Sequence, residues 1–178
     1  CHTVHGLHGR APAIASGIAM SLRDPSQKVV VLMGDGGAAI GLQHILECAR
    51  LNADLTLILC DNQNYAMTGG QSSAYTLQGV KTSTSPQGGT LANYPLIEMI
   101  KAFGVPHAQT LANAEELPEY LEFCLKHRGF SLVRTFNYCP SYSGKMNLEN
   151  LGPRHMASFF ESRGIPFGLW PATGERAT

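Results

Sequence analysis

Residues 28–37, KVVVLMGDGG, decide the fold of this chain. Their first half is a short apolar run with β-branched residues at its centre, which is typical of a strand buried on both faces. A second apolar run, LTLILC at residues 55–60, follows a segment in which apolar residues recur at helical spacing. Strands that are separated by helices need crossover connections, and these make neighbouring strands parallel. The two runs therefore predict an α/β fold with a mostly parallel sheet and helices on both faces.

The rest of the sequence continues the alternation of helices and strands. Residues 61–93, rich in Gly, Ser, Thr and Gln, form a loop long enough to indicate a function. Asn113 and Glu116 have the spacing of a helix capping box, although Pro118 would delay the start of that helix, and Gly164 follows the last helix. Helical spacing predicts helices at 11–22, 40–52, 95–103, 113–128 and 153–163, and apolar runs predict further strands at 105–111 and 130–136.

The composition argues against several classes of protein. Thirteen basic and thirteen acidic residues give no net charge, and no basic stripe stands out, so nucleic acid is not expected as a partner. No apolar run approaches the roughly 20 residues that a membrane-spanning helix needs. Five cysteines without a CxxC pair argue against a self-contained zinc or iron–sulfur site, and they favour reduced thiols in the cytoplasm. The first residues resemble neither a signal peptide nor an initiator methionine, so we expect the chain to begin inside a longer protein.

The first strand ends in a glycine-rich segment, GDGG at residues 34–37. Glycines let the backbone turn sharply and bring its N–H groups close to a ligand. A helix is predicted to begin soon afterwards, near Ile40, and glycines before a helix N-terminus favour an anion such as phosphate. Asp35, inside this segment, would repel a phosphate unless a divalent cation lay between them. The segment therefore predicts a phosphate group and a metal ion together.

The second strand is followed by Asp61-Asn62, at the same edge of the predicted sheet as the glycine segment, because ligands bind where the carboxyl ends of parallel strands meet. Mg²⁺ takes oxygen ligands, and Asn62 offers an amide oxygen while Asn64 offers a backbone carbonyl. Alone, GDG or Asn62 is a common turn element. Together, 27 positions apart and each directly after a buried strand, Asp35 and Asn62 indicate a Mg²⁺-diphosphate site. The motifs GxGxxG and GxxxxGKS/T of nucleotide sites do not occur.

These residues resemble a known family. GDG followed by Asn resembles the signature of thiamine-diphosphate enzymes. Three further segments, HGLHGRA at 5–11, DNQNYAMTGGQ at 61–71 and RGFSLV running into CPSY at 128–142, resemble the β subunit of 2-oxoacid:ferredoxin oxidoreductases. The resemblance covers residues 3–142 in the same order. Residues 67–71 and 82–84 are similar to the 2-oxoglutarate and branched-chain versions, without indicating which 2-oxo acid is used.

The resemblance implies a role for each matching position. It implies that Asp35, Asn62 and the backbone carbonyl of Asn64 hold Mg²⁺. It implies that His8 and Arg10 are catalytic residues near the reacting end of thiamine diphosphate. The positions that it implies for cofactor binding are Gly34, Asp35, Gly36, Gly37, Asn62, Tyr65, Met67, Thr68 and Gly69.

Several of these residues also have ordinary structural interpretations. Cys139 matches a cysteine that is one ligand of a 4Fe–4S cluster in this family, and the other cysteines would lie outside this sequence. Without that match Cys139 is an ordinary thiol. Tyr65 and Met67 can equally be packing residues of the loop. His44, on the helix behind the glycine segment, is interpreted as a packing and hydrogen-bonding residue.

The activity that the resemblance implies is oxidative decarboxylation of a 2-oxo acid to acyl-CoA and CO₂, with electrons passed to ferredoxin. An α subunit would supply the Glu beside the pyrimidine of the cofactor. Residues 1–142 would form the thiamine-diphosphate and Mg²⁺ domain, and residues 143–178 an extension that packs on it or on a partner. Two alternatives stay open: a non-oxidative thiamine-diphosphate decarboxylase subunit, and a structural subunit without turnover.

Overall fold

A computed structural model describes residues 2–111, 114–152 and 155–163. Within these residues four strands form one sheet in which all neighbouring strands are parallel. The strands, in chain order, are β1 (Val29–Gly34), β2 (Leu55–Asp61), β3 (Ala108–Leu111) and β4 (Ser131–Phe136). Their order across the sheet is β1-β2-β4-β3, so β2 and β4 are the central pair.

Helices connect the strands and pack on both faces of the sheet, which confirms the predicted fold class. Alternate residues along β2 and β4 point to opposite faces, so Leu57 and Leu132 belong to one core and Ile58 and Val133 to another. The first core is covered by α1, α3 and α4, and the second by α5. The helices are α1 (Ala11–Ser21), α2 (Asp35–Ile40), α3 (Leu42–Arg50), α4 (Leu96–Lys101), α5 (Leu117–Lys126), α6 (Ser143–Met146), α7 (Leu148–Leu151) and α8 (Met156–Ser162).

The helix after β1 starts earlier than the sequence predicts. The prediction placed its start near Ile40, but α2 begins at Asp35 and a break at Gly41 separates it from α3. An acidic residue in the first turn is favourable because the N-terminal end of a helix carries partial positive charge. Gly34 precedes that turn in an extended conformation, so the residues expected in a loop lie in the first turn of a helix instead.

Other boundaries differ for identifiable reasons. β3 begins at Ala108 and not at 105, because Pro106 has no N–H to donate to a sheet. Helix α5 begins at Leu117 with Pro118 in its first turn, which agrees with the predicted delay. Helices α6 and α7 were not predicted. Asn113 of the predicted capping box, Pro153 and Gly164 lie outside the described residues. No helix in the described ranges is long and apolar enough to cross a membrane.

A buried ion pair joins the two central strands. Arg134 of β4 and Asp61 of β2 have side chains that are 5% and 0% exposed. The Nε of Arg134 donates to Oδ2 of Asp61 at 2.8 Å, and its Nη2 donates to the same oxygen. Two charges this deep in the protein are tolerated because each is the other's partner. The pair therefore fixes β4 beside the end of β2.

Replacing Arg134 by Met should lower the free energy of unfolding by about 3–5 kcal/mol, because Asp61 would stay buried without its counter-charge. Urea unfolding of the full-length protein, followed by circular dichroism, measures this change. Lys126→Met removes an exposed pair with Glu122 and is the matched control, expected to leave the midpoint unchanged. Equal losses in the two variants would contradict a special role for the buried pair.

Candidate functional site

Two carboxylates meet at the carboxyl edge of the sheet. Gly34 is aligned with Cys60 in the β1–β2 register, which brings Asp35 close to Asp61. Asp35 is 2% exposed, and its Oδ2 accepts a hydrogen bond from Ser73 Oγ at 2.9 Å. Burial and the negative charge of Asp61 raise the pKa of Asp35 to about 7. Arg134 already pairs with Asp61, so a cation beside Asp35 would balance the remaining buried charge.

The loop after β2 holds the amide side chain of Asn64 and the backbone carbonyl of Asn62 in fixed positions. Nδ2 of Asn64 donates to the backbone carbonyl of Asn62 and to Oγ of Ser143, both at 2.7 Å. Oγ of Ser143 donates in turn to the same Asn62 carbonyl at 2.7 Å. The carboxylate of Asp35, the amide oxygen of Asn62 and the carbonyl of Asn64 are the donor types that Mg²⁺ prefers. The chemistry of these donors therefore fits the ion that the sequence predicts.

The long loop folds back over the sheet edge through Gln63. This residue has a left-handed backbone with a φ of 67°. Its backbone N–H and its side-chain Nε2 donate to Oδ1 of Asp61 at 2.9 and 2.8 Å. Thr76 Oγ1 donates to the Gln63 carbonyl, and the Leu77 N–H donates to Oε1 of Gln63, both at 2.9 Å. Asp61 thus anchors β4 with one oxygen and the loop with the other.

Residues 65–71 form a tight turn at the mouth of the site. Tyr65 N–H donates to the carbonyl of Gln71 and Gly70 N–H donates to the carbonyl of Tyr65, both at 2.9 Å. Thr68 Oγ1 donates to Oε1 of Gln71 at 2.8 Å, which fixes the hydroxyl. The ring of Tyr65 packs on the helix start, because a Cβ at Gly36 would lie 2.7 Å from its Cδ1. The turn therefore lies over the first turn of α2.

The other residues of this turn are an exposed methionine and two glycines with left-handed backbones. Met67 is 90% exposed, so it makes little contact with the rest of the described residues. Gly69 has a φ of 120° and Gly70 a φ of 77°, conformations that L side chains rarely adopt. A Cβ at Gly70 would also lie 2.5 Å from Cγ of Tyr142. Only glycine fits at position 70, where the turn meets the segment after β4.

His8 and Arg10 lie in a second turn that rests on the same helix. The Arg10 N–H donates to the carbonyl of Leu7 at 2.9 Å, which closes the turn. Gly9, with a φ of 75°, packs against Gly41 so closely that a Cβ at Gly41 would overlap the Gly9 carbonyl. The contact seats the turn at the break between α2 and α3. It brings the predicted catalytic residues beside the helix that begins with Asp35.

Cys139 lies next to the predicted metal ligands. It is 6% exposed, and its Sγ is 3.9 Å from Oδ1 of Asn64. Burial opposes ionisation, but the N–H groups of residues 141–143 donate to the sulfur and bring the pKa of Cys139 below its usual value. The thiolate that they favour is the metal-ligating form. Across the described ranges no group of three or more His, Cys, Asp and Glu side chains could hold a metal ion.

The other thiols whose contacts are described have a different environment. Burial raises the pKa of Cys48 to about 11 and raises the pKa values of Cys60 and Cys124 as well. These three residues lie on α3, β2 and α5, where a free thiol packs as a small hydrophobic group. Cys139 is therefore distinguished from them by its surroundings, which the sequence alone did not indicate.

The structure brings the predicted site residues to one edge of the sheet from four segments. The end of β1 and the first turn of α2 carry residues 34–37, the loop after β2 carries residues 62–69, the turn before α1 carries His8 and Arg10, and the segment after β4 carries Cys139. Sequence reasoning missed Ser73 and Ser143, which hold Asp35 and Asn64 in place from distant segments. No local motif marks either serine.

The sequence is similar to known thiamine-dependent proteins. The profile of the family described as thiamine pyrophosphate enzyme, C-terminal TPP binding domain, matches residues 1–135. The chain is 38% identical over 168 residues to the 2-oxoglutarate synthase subunit KorB of Methanothermobacter marburgensis, covering 93% of this chain and 58% of that protein. It is 35% identical over 143 residues to the 2-oxoacid:ferredoxin oxidoreductase subunit beta of Saccharolobus solfataricus, covering 79% and 46%. The chain spans about half the length of the curated relatives it matches.

Solved structures resemble the fold. The 2-oxoglutarate:ferredoxin oxidoreductase of Magnetococcus marinus, solved with 2-oxoglutarate, coenzyme A and succinyl-CoA bound, matches 87% of this chain and 50% of that chain. The TM-score of that match is 0.72 and the sequence identity is 27%. The thiamine diphosphate-dependent 4-hydroxybenzoylformate decarboxylase of Rhodococcus jostii matches 75% of this chain and 24% of its own, with a TM-score of 0.54 and 20% identity. The second match supports the fold alone.

Replacing Gly70 by Ala should destabilise the protein by at least about 1–2 kcal/mol, the cost of a left-handed L residue, with the clash against Tyr142 added. Gly89→Ala is the matched control, because no heavy atom lies within 4 Å of its Cβ position and its φ is not positive. Thermal unfolding of both variants measures the difference. If Gly70→Ala unfolded at the temperature of the control, the packing described for residues 65–71 would be wrong.

Proposed function

Because the chain belongs to the family of thiamine pyrophosphate enzyme C-terminal binding domains, we propose that it binds Mg²⁺-thiamine diphosphate as the β subunit of a 2-oxoacid:ferredoxin oxidoreductase. One observation carries the proposal most directly. Asp35 is buried with a raised pKa at the edge where Asn62 and Asn64 offer oxygen donors. A buried carboxylate in this state favours a divalent cation. The names and identities of the relatives support the choice of enzyme class.

In this proposal each segment of the edge has its own task. Asp35, Asn62 and the carbonyl of Asn64 hold Mg²⁺, and Ser73 and Ser143 keep the first and last of these in position. The diphosphate lies between the first turn of α2 and the turn at residues 65–71. Its proposed contacts are Gly34, Gly36, Gly37, Thr68 and Gly69, with Tyr65 and Met67 beside the rest of the cofactor.

The proposed reaction is oxidative decarboxylation of a 2-oxo acid. Thiamine diphosphate, when bound, supplies the nucleophile and the electron sink for this chemistry. His8 and Arg10 are proposed to bind the substrate carboxylate, and the packing of their turn against the end of α2 supports this assignment. Coenzyme A takes the acyl group and ferredoxin takes the electrons, as the names of the relatives suggest.

The site needs groups from outside this sequence. The proposed partner is an α subunit that supplies the Glu beside the pyrimidine of the cofactor. Cys139 is proposed as one ligand of a 4Fe–4S cluster whose other cysteines lie outside this sequence, and its lowered pKa supports that role. Residues 1–142 are proposed as the cofactor domain and residues 143–178 as its extension. Leu151 and Phe160 of that extension pack on Leu77 and Val80 of the long loop.

Replacing Asp35 by Ala should abolish Mg²⁺-dependent binding of thiamine diphosphate, because Asp35 is the only charged side chain among the three proposed protein ligands of the ion. Calorimetric titration of the complex of both subunits with the cofactor, with and without Mg²⁺, measures the loss. Asp24→Ala changes an exposed turn carboxylate and is the control for a lost negative charge. Unchanged affinity in Asp35→Ala would refute the assigned role.

The isolated chain should not turn over a 2-oxo acid, and the assembled complex should reduce a viologen dye in the presence of coenzyme A. The reason is that the acid–base group beside the pyrimidine is assigned to the partner. Measuring CO₂ release and dye reduction together separates the possibilities. CO₂ release without dye reduction would indicate a non-oxidative decarboxylase, and turnover by the isolated chain would contradict the shared site.

A further inference from the structure

His44 of α3 makes a direct contact with one of the proposed catalytic residues. The guanidinium of Arg10 donates to Nε2 of His44 across 34 positions of sequence. A guanidinium has N–H donors and no acceptor, so Nε2 of His44 is the acceptor in this contact. His44 is half-buried on α3, whereas Arg10 is exposed where its turn enters α1. The histidine is thus the better-fixed member of the pair.

The charge of Arg10 is not cancelled by any carboxylate in the described residues. The four ion pairs found there involve Arg50, Lys126, Arg128 and Arg134 as the cations. A carboxylate partner would orient the guanidinium equally well, but it would neutralise the field that attracts an anion. A neutral imidazole orients the guanidinium and leaves its full positive charge available.

Hydrogen bonding and close packing hold the backbone that carries His44. His44 N–H donates to the carbonyl of Gly41 at 2.9 Å, and Gly41 is the residue against which Gly9 packs. Helix α2, which begins with Asp35, ends at the same junction. The contact that holds Arg10 and the helix that carries Asp35 therefore both start from the backbone around Gly41. A guanidinium held by His44 has a defined position relative to Asp35, and hence to the proposed cofactor.

We propose that His44 is a positioning residue that holds Arg10 toward the carboxylate of the 2-oxo acid without cancelling its charge. This inference rests on the proposed function, because it assigns Arg10 to the substrate. It goes beyond the interpretation of His44 as a packing and hydrogen-bonding residue. It also predicts an asymmetry: the substrate affinity depends on an uncharged hydrogen-bond acceptor at position 44, while the affinity for the cofactor does not.

The test uses three variants of the complete complex with its partner subunit: His44→Gln, His44→Leu and His44→Glu. His44→Gln keeps a neutral acceptor and should keep the KM for 2-oxoglutarate within about twofold of wild type. His44→Leu removes the acceptor and should raise that KM roughly tenfold, with a smaller change in kcat. His44→Glu restores an acceptor but cancels the charge, so its KM should also rise roughly tenfold.

Two controls separate positioning from a structural effect. Gln43→Leu changes an exposed neighbour on α3 and should leave KM unchanged. The affinity for Mg²⁺-thiamine diphosphate, measured by calorimetry, should be the same in wild type and in all four variants. In an Arg10→Ala background, His44→Leu should have no further effect on KM, because the two residues act as one unit.

The outcomes distinguish this inference from the proposed function. An active wild-type complex in which His44→Leu keeps the wild-type KM would overturn the role of His44 alone. So would a His44→Leu variant that loses cofactor affinity in parallel, or a His44→Glu variant that behaves like His44→Gln. A wild-type complex that binds the cofactor but oxidises none of 2-oxoglutarate, pyruvate and the branched-chain 2-oxo acids would overturn the proposed function, and this inference with it.

Discussion

The burial of two carboxylates at one edge of a parallel sheet is the constraint on which the site depends. Asp35 follows β1 and Asp61 is the last residue of β2, and the parallel register of these neighbouring strands brings the two residues together. One of them is neutralised by Arg134 from the central strand β4. The other keeps an unbalanced charge that burial makes unfavourable, and this shows in its raised pKa. The fold thus supplies one counter-charge from within and leaves a position where an external cation is favourable.

The polar contacts around the edge follow from the same constraint. Asp61 has two oxygens, one used by Arg134 and the other by Gln63. Because Gln63 then holds residues 76 and 77, the long loop is attached to the sheet through the carboxylate that is already neutralised. Asp35 accepts hydrogen bonds from the Ser73 hydroxyl and the Gly36 N–H, and neither donor carries a charge that would balance the carboxylate. Asp61 thus makes the contacts that hold the strands and the loop, and Asp35 is the acid proposed as the metal ligand.

The elements of the sheet could be predicted because their signals are local. Two apolar runs, each ending in a polar motif, are enough to place Asp35 and Asn62 at one edge, and the helices fall close to their predicted ranges. The predicted helix start near Ile40 was wrong, because the glycines were taken as loop residues, although an acid is favourable in a first turn. Arg134 is the only charged residue in the run FSLVRTF, and a charge in a buried strand needs a partner. The identity of that partner, like the roles of Ser73, Ser143 and His44, depends on long-range packing that no short pattern records.

The backbone contact between Gly9 and Gly41 restricts which residues related sequences can carry at these two positions. Neither GDG nor the following Asn requires glycine at position 41, so chains can carry both motifs together with a side chain at that position. In such chains the carbonyl of the turn before α1 could not approach the α2–α3 junction, since even one methyl group would overlap it. The arginine of that turn would then not be held beside α2. Glycine at both positions is therefore what the close packing of this turn on the α2–α3 junction requires.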